Sequence, residues 1–271
     1  MSDKNILDSY YEANKRLWDK LVSVHVKSDF YDQKSFLAGK SSLKDIELNE
    51  LGDVKGKSML HLQCHFGQDS ISWAKKGAKV VAIDFSEGAI SIAKDINEKL
   101  KTDVEFICCN VYDVKSHLSE KFDIVFTSYG VINWLHDLDK WGELIASSLN
   151  PGGIFYMVEF HPILWIYDEN FVKVEHPYQS ESEPLMHISG SSYTNQENKN
   201  SQKEYCWNHG IGRIMNSLIN AGLQIEFFNE YNYSPYKTFK DMTEFEKGKF
   251  VISKFGYKVP HLFSIRAILP D

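Results

Sequence analysis

The sequence predicts an α/β protein whose parallel sheet carries helices on both faces. Three observations support that expectation. Residues 58–86, SMLHLQCHFGQDSISWAKKGAKVVAIDFS, run from an apolar strand through a tight loop and a helix into a second strand ending at Asp84. Strand-like and helical segments then keep alternating down to residue 159, the rhythm of βαβ units. FDIVFT at 122–127 is apolar throughout apart from Asp123, as a central strand covered on both faces must be.

The elements follow in chain order. Tyr10, Asn14, Trp18 and Leu21 recur at helical spacing and predict a helix over 6–22. Leu60 and Leu62 alternate with polar neighbours as strand residues do, residues 70–76 keep helical spacing, and Gly77 closes that helix before the strand at 79–83. Residues 87–100 form an amphipathic helix with Ile90, Ala93, Ile96 and Leu100 on one side and Ser86 and Glu87 at its start. Strands are expected at 104–109 and 122–127, and a helix at 138–149. That helix stops at Asn150-Pro151-Gly152-Gly153, where proline cannot continue it and the glycines allow a tight turn into a strand at 154–159. The polar stretch 162–206 breaks the rhythm and reads as an insertion holding short strand-like pieces at 171–174 and 185–189. A helix at 209–221 ends at Gly222, strands follow at 223–229 and 262–269, and the aromatic 230–260 between them is expected to be irregular.

Composition narrows the function classes. The chain has 271 residues, 43% hydrophobic and 25% charged, which suits one large domain with a filled core. A net charge of −7 offers no basic footprint for nucleic acid or an anionic membrane, so a small-molecule partner is expected, and the oligomeric state is left open. No apolar run approaches the roughly twenty residues of a membrane helix, and the opening MSDKNILDSYYEANK lacks the apolar core of a signal peptide, so a cytoplasmic location is expected. Cys64, Cys108, Cys109 and Cys206 show no CxxC pairing, so reduced thiols and no zinc site are expected.

In a βαβ unit of this kind, the loop and the helix start present backbone N–H groups to a ligand, and an acid ending the second strand can accept hydrogen bonds from ribose hydroxyls. Asp84 sits about twenty residues past the loop, as that arrangement needs. The pattern therefore points to an adenosine-containing cofactor.

The HLQCHFG loop followed by WAKKGAKVVAIDFS, with SYGVINW, LNPGG, VEFHP and Trp207-Asn208-His209, resembles the class I S-adenosylmethionine-dependent methyltransferases and a small-molecule subfamily of them. The resemblance covers residues 57–160 and the final helix and strands, and of the family's loop glycines only Gly67 is kept. It implies a Rossmann-like methyltransferase fold with a seven-stranded, mostly parallel sheet, helices on both faces and one antiparallel strand. It further implies a single domain over 1–271, with an N-terminal helical lid at 1–50 and the insertion at 162–206 covering the active site.

The resemblance also assigns roles. Backbone at Gln63, Cys64, His65 and Gly67 lies beside the methionyl part of S-adenosyl-L-methionine, with Gln63 and His65 offering side chains to its carboxylate or amine. Asp84 takes the ribose, Phe85 and Ser86 lie against adenine, Asn110 meets the adenine amino group, and Val111 N–H meets a ring nitrogen. Thr127, Ser128 and Tyr129 flank the sulfonium, and Tyr11 joins the cofactor set. Asn133, Trp134 and Trp207 form the acceptor wall. Methyl transfer is an in-line displacement that needs positioning first and a base only if the acceptor must lose a proton. Candidate bases are Glu159, His161 and His209; a carboxylate bonded to a nearby helix N-terminus and a capping histidine are the structural alternatives for Glu159 and His209.

N- or O-methylation of a small molecule is the leading reading. A nicotinamide-dependent oxidoreductase needs G-x-G-x-x-G at the first turn, where Gln63 and His65 replace the first two glycines. A cofactor-binding protein without catalysis is the other alternative, resting on the bulky loop. Ser128-Tyr129-Gly130 stands where nucleobase amino methyltransferases carry a proline-rich aromatic motif, which argues against DNA as the acceptor.

Overall fold

The computed structural model of the protein describes residues 3–189, 194 and 202–271. Its helices are α1 (Asp3–His25), α2 (Gln33–Leu37), α3 (Asp45–Leu51), α4 (Gln68–Lys75), α5 (Glu87–Leu100), α6 (Leu138–Ser148) and α7 (Ile211–Asn220). Its strands are β1 (Ser58–His61), β2 (Lys79–Asp84), β3 (Val104–Cys108), β4 (Phe122–Ser128), β5 (Leu149–Phe160), β6 (Leu185–Ser189), β7 (Gln202–Cys206), β8 (Gln224–Tyr231), β9 (Met242–Glu246), β10 (Lys249–Ile252) and β11 (Leu262–Ile268). Seven strands form one mixed sheet in the order β3-β2-β1-β4-β5-β11-β8, and β6-β7 and β9-β10 are separate two-stranded sheets. Within the seven-stranded sheet β11 runs antiparallel to both β5 and β8, in keeping with the expected antiparallel strand.

By its contacts the chain divides into two compact units, Met1–Phe126 with Met186–Tyr205, and Thr127–Leu185 with Cys206–Asp271. In the first unit β1 lies parallel between β2 and β4, with Leu60 opposite both Val81 and Val125. Met59, Leu60, Ile71 and Trp73 are wholly buried there, each aliphatic side chain contributing about 1.5–3 kcal/mol, and the Trp73 ring meets Phe126 edge-on at 5.6 Å. Helix α5 has the predicted bounds, buries Ile90, Ala93 and Ile96, and is capped where the Ala89 N–H donates to the Ser86 hydroxyl at 3.1 Å. Helix α1 is fastened to it: Asp19 accepts from the Ser86 hydroxyl at 2.6 Å and the Gly88 N–H at 3.2 Å, and Lys15 pairs with Glu87 at 3.0 Å. Asn14 of α1 grips β7 like an added strand residue, donating to the Tyr205 carbonyl at 2.8 Å and accepting its N–H at 2.9 Å.

In the second unit β11 is the centre, with Ile265 opposite both Met157 and Phe228. Helices α6 and α7 approach closely at Gly142, where an added Cβ would lie 2.4 Å from the Ser217 carbonyl oxygen. A satellite core of Leu164, Phe171, Met242 and Ile252 is walled by Tyr167, Phe239 and Phe255.

Several expectations are corrected. The aromatic stretch 230–260 is not irregular: β9 and β10 pair antiparallel, their residues Met242 and Ile252 enter the satellite core, and Phe239, Phe250 and Phe255 pack against it. Residues 171–174 make no strand; Tyr167 and Val174 share one bridge, and the Asp168 carboxylate accepts the N–H groups of Val172 and Lys173 to hold a turn. Helix α7 starts at Ile211 rather than at His209, with Gly210 as its N-cap. No separate turn follows α6: β5 begins at Leu149, and the ladder to the final segment continues through Gly152 N–H to Leu269 O and Leu269 N–H to Gly153 O. Gly152 takes φ +71 within this run, the role of its glycine. Of the stretch expected as an insertion, 162–185 falls in the second unit and 186–205 in the first, with 190–193 and 195–201 outside the described residues.

Candidate active site

The loop between β1 and α4 is built from residues that glycine usually replaces. Gln63 and His65 take φ +55 and +51, and Gly67 takes +77 as N-cap of α4. The left-handed region costs an L-residue about 1–2 kcal/mol, so the loop is held from both sides. Leu62 N–H donates to Phe126 O at 2.9 Å, Cys64 N–H to Ile83 O at 2.8 Å, and His65 N–H to Asp84 Oδ2 at 2.9 Å. At Gly67 the constraint is also steric, because a Cβ would stand 2.5 Å from the Phe106 ring.

Asp84 ends β2 as the sequence predicts and is only 9% exposed. Its Oδ2 accepts His65 N–H and its Oδ1 accepts Ser86 N–H, both at 2.9 Å, so one carboxylate ties the first loop to the start of α5. Burial pushes its pKa up to about 6, against the pull of those N–H donors. Burial also raises the neighbouring thiols, Cys64 well above its ordinary value and Cys109 to about 12, which keeps both protonated. The Phe85 carbonyl accepts from the Cys108 thiol at 3.6 Å. Asn110 uses Oδ1 to accept Tyr112 N–H at 3.1 Å, capping the 3-10 turn Val111–Ser116, in which Val111 is buried. The Tyr11 ring lies 6.3 Å from that of Tyr112. The structure thus gathers Gln63, Cys64, His65, Gly67, Asp84, Phe85 and Ser86 around the ends of β1 and β2.

In the second unit Thr127 and Ser128 are buried at the end of β4, and Tyr129 N–H donates to Val158 O at 3.0 Å. Glu159 is wholly buried. Its Oε1 accepts N–H from Gly130 and from Phe160 (2.6 Å), and its Oε2 accepts Val131 N–H at 2.7 Å and Ile132 N–H at 3.2 Å. Burial still raises its pKa. This carboxylate shapes the turn that leads to Asn133 and Trp134, whose indole N–H donates to Gly130 O at 2.9 Å.

The histidines are similarly engaged. His161 Nδ1 accepts Ile163 N–H at 3.1 Å, which leaves its proton on Nε2, 3.0 Å from Glu230 Oε1. Burial lowers its pKa and Glu230 opposes that. His209 Nε2 lies 2.7 Å from Leu135 O, and burial takes its pKa down to about 4, so the ring is neutral at pH 7 and donates to that carbonyl. Asn133 donates from Nδ2 to Asn208 Oδ1 at 3.2 Å and accepts Trp207 N–H at its carbonyl at 2.8 Å, with the Trp207 side chain buried. Asn208, which the sequence singled out only within a tripeptide, is a hub: its Nδ2 also reaches Pro177 O at 2.8 Å. Asp19 and His25 gave no signal in sequence, because each acts on a residue forty or more positions away, Ser86 and His65.

A family described as a methyltransferase domain matches residues 53–249. This chain belongs to the class I S-adenosylmethionine-dependent methyltransferases. Among its curated relatives are phosphoethanolamine N-methyltransferase 1 of Triticum aestivum, 25% identical over 164 residues, covering 59% of this chain and 31% of that protein. Demethylmenaquinone methyltransferase of Clavibacter sepedonicus is 34% identical over 109 residues, covering 40% and 42%. The chain therefore spans well under half the length of these relatives. Similar solved structures include an S-adenosylmethionine-dependent methyltransferase from Clostridium acetobutylicum, with TM-score 0.56, 13% identity and coverage of 96% and 99%. Geranyl diphosphate C-methyltransferase from Streptomyces coelicolor, solved with S-adenosyl-L-homocysteine, gives 0.55, 12%, 83% and 77%. At such identities they show a shared Rossmann-like methyltransferase fold.

The residues of this family member fit the cofactor. An acid ends β2, the position next to α4 admits only glycine, and Nδ1 of His65 is shut off from solvent with no partner among the described residues. No described helix is long and apolar enough to cross a membrane.

Proposed function

We propose that this chain transfers a methyl group from S-adenosyl-L-methionine to nitrogen or oxygen of a small-molecule acceptor. The observation that carries the reading is Asp84, a shielded carboxylate at the end of β2 that also organises the first loop through His65 N–H. Each of its oxygens has a lone pair beyond the backbone bond it accepts, which suits a ribose diol. Gln63, Cys64, His65 and Gly67 then line the methionyl end, Phe85, Ser86, Asn110 and Val111 the adenine, and Thr127, Ser128, Tyr129 and Tyr11 complete the set. Bound there, the cofactor supplies an activated methyl group.

The chain's own work is to bind and orient. Glu159 gives both oxygens to backbone N–H groups, His161 bridges Ile163 and Glu230, and His209 holds the Leu135 carbonyl. We therefore read all three as positioning residues that shape the segment carrying Asn133 and Trp134, with transfer relying on proximity. Asn133, Trp134 and Trp207 are assigned to the acceptor. The names of the relatives, phosphoethanolamine N-methyltransferase and demethylmenaquinone methyltransferase, support a small-molecule acceptor.

Calorimetry with Asp84→Asn tests the reading. Losing charge-assisted bonds worth about 1.5–3 kcal/mol weakens S-adenosylmethionine binding at least about tenfold. Wild-type affinity in the variant, with wild type binding normally, refutes it.

A further inference from the structure

The left-handed His65 stands where a glycine would need no support, and its ring has four aromatic neighbours in the first unit. It lies side by side with the His25 ring (centroids 5.3 Å, planes 17° apart), is nearly parallel to the Tyr31 ring (5.4 Å, 14°), and meets Trp18 edge-on at 5.4 Å. Phe66 meets it edge-on at 4.3 Å. His25 ends α1, is wholly buried, and brings its Nδ1 to 3.2 Å from His65 Nε2. Trp18, one α-helical face earlier, is also edge-on to His25 at 5.7 Å.

We infer that His25 is a positioning residue for cofactor binding: with Tyr31 and Trp18 it clamps the His65 ring, and the clamp holds the first loop in the left-handed conformation that the family's glycines adopt unaided. This rests on the proposal that the loop receives S-adenosylmethionine. The energetic need is clear, since a left-handed L-residue persists only where its surroundings over-determine it. His65 is determined at both ends, its N–H held by Asp84 and its ring by the clamp. The pair is also neutral at pH 7, because burial lowers both imidazoles, His25 to about 4. A neutral pair shares one proton along the Nδ1···Nε2 line, so His65 Nδ1 is the ring nitrogen without a partner among the described residues in either tautomer. The clamp consequently couples the end of α1 to the cofactor loop through a single ring.

A double-mutant cycle between His25→Ala and His65→Gly separates this role from simple packing. S-adenosylmethionine affinity by calorimetry and the midpoint of thermal unfolding are both read. In the wild-type background His25→Ala weakens binding at least tenfold. In the His65→Gly background it changes binding less than twofold, because glycine needs no clamp. His65→Gly lowers the unfolding midpoint when His25 is present and raises it when residue 25 is alanine. Equal effects of His25→Ala in both backgrounds, on affinity and on unfolding, overturn the inference. If the wild-type protein binds no S-adenosylmethionine, the functional reading fails while the unfolding cycle still decides whether the clamp exists. If His25→Ala does not fold, His25→Asn, which keeps a polar atom near the Nδ1 position without the ring, runs the same cycle. Partial recovery of affinity in His25→Asn relative to His25→Leu supports the hydrogen-bonded clamp.

Discussion

Exchanging Glu159 for glutamine changes one atom and removes one charge, yet four backbone N–H groups depend on that carboxylate. Gly130 and Phe160 donate to Oε1, and Val131 and Ile132 to Oε2. A glutamine can keep one of these pairs with its carbonyl oxygen, and its NH2 must then face the other. Two buried donors lose their acceptor, each costing about 1–3 kcal/mol, and relief from burying a charge, which the raised pKa reports, returns part of it. The net expectation is a loss of about 2–4 kcal/mol. Urea unfolding at pH 7 measures it, alongside turnover once an acceptor is in hand. A general base gives the opposite pattern, with turnover collapsing and stability intact. Unfolding free energies for Glu159→Gln and wild type within about 0.5 kcal/mol of one another refute the positioning role.

Two further outcomes follow from the same geometry. Gly67→Ala drives a Cβ to 2.5 Å from the buried Phe106 ring at φ +77, so overpacking and left-handed strain together remove about 2–4 kcal/mol; an unchanged urea midpoint would show that the ring yields freely. His209, held neutral with a pKa of about 4, takes up its proton in the unfolded chain near pH 6.5 and in the folded chain only near 4. Its contribution is therefore complete above about pH 6.5 and is lost as pH falls towards 4, at up to about 1.4 kcal/mol per pH unit. His209→Gln, whose amide can still donate to Leu135 O, removes that slope; parallel stability curves for the two proteins from pH 7 to 4 contradict it.

Legibility differed from element to element. Helix α5 was readable to the residue because its cap Ser86 and its stripe Ile90, Ala93 and Ile96 are local signals, set by 3.6-residue periodicity. The acid ending β2 was readable for the same reason, as a fixed offset from the loop. The hairpin β9–β10 was not, since its aromatic residues show no clean alternation and earn their place only by packing on Leu164 and Phe171, some eighty positions earlier. Glu159 was readable as either a base or a carboxylate held at a helix N-terminus, and the choice between them was not readable, because the backbone N–H groups it accepts are brought together only by the folded turn.

The alternation of strands and helices through β5 and the position of Asp84 are thus written in spacings of a few residues, where backbone periodicity and capping chemistry act, and the family is carried by the resemblance of its motifs. Which side chains are spent on structure was decided only in three dimensions. His25 reaches His65, Asp19 reaches Ser86, and Asn14 reaches Tyr205 across forty to nearly two hundred positions. Such pairings depend on how α1 lies against the first loop, α5 and β7, and chain closure over those distances leaves no local periodic trace.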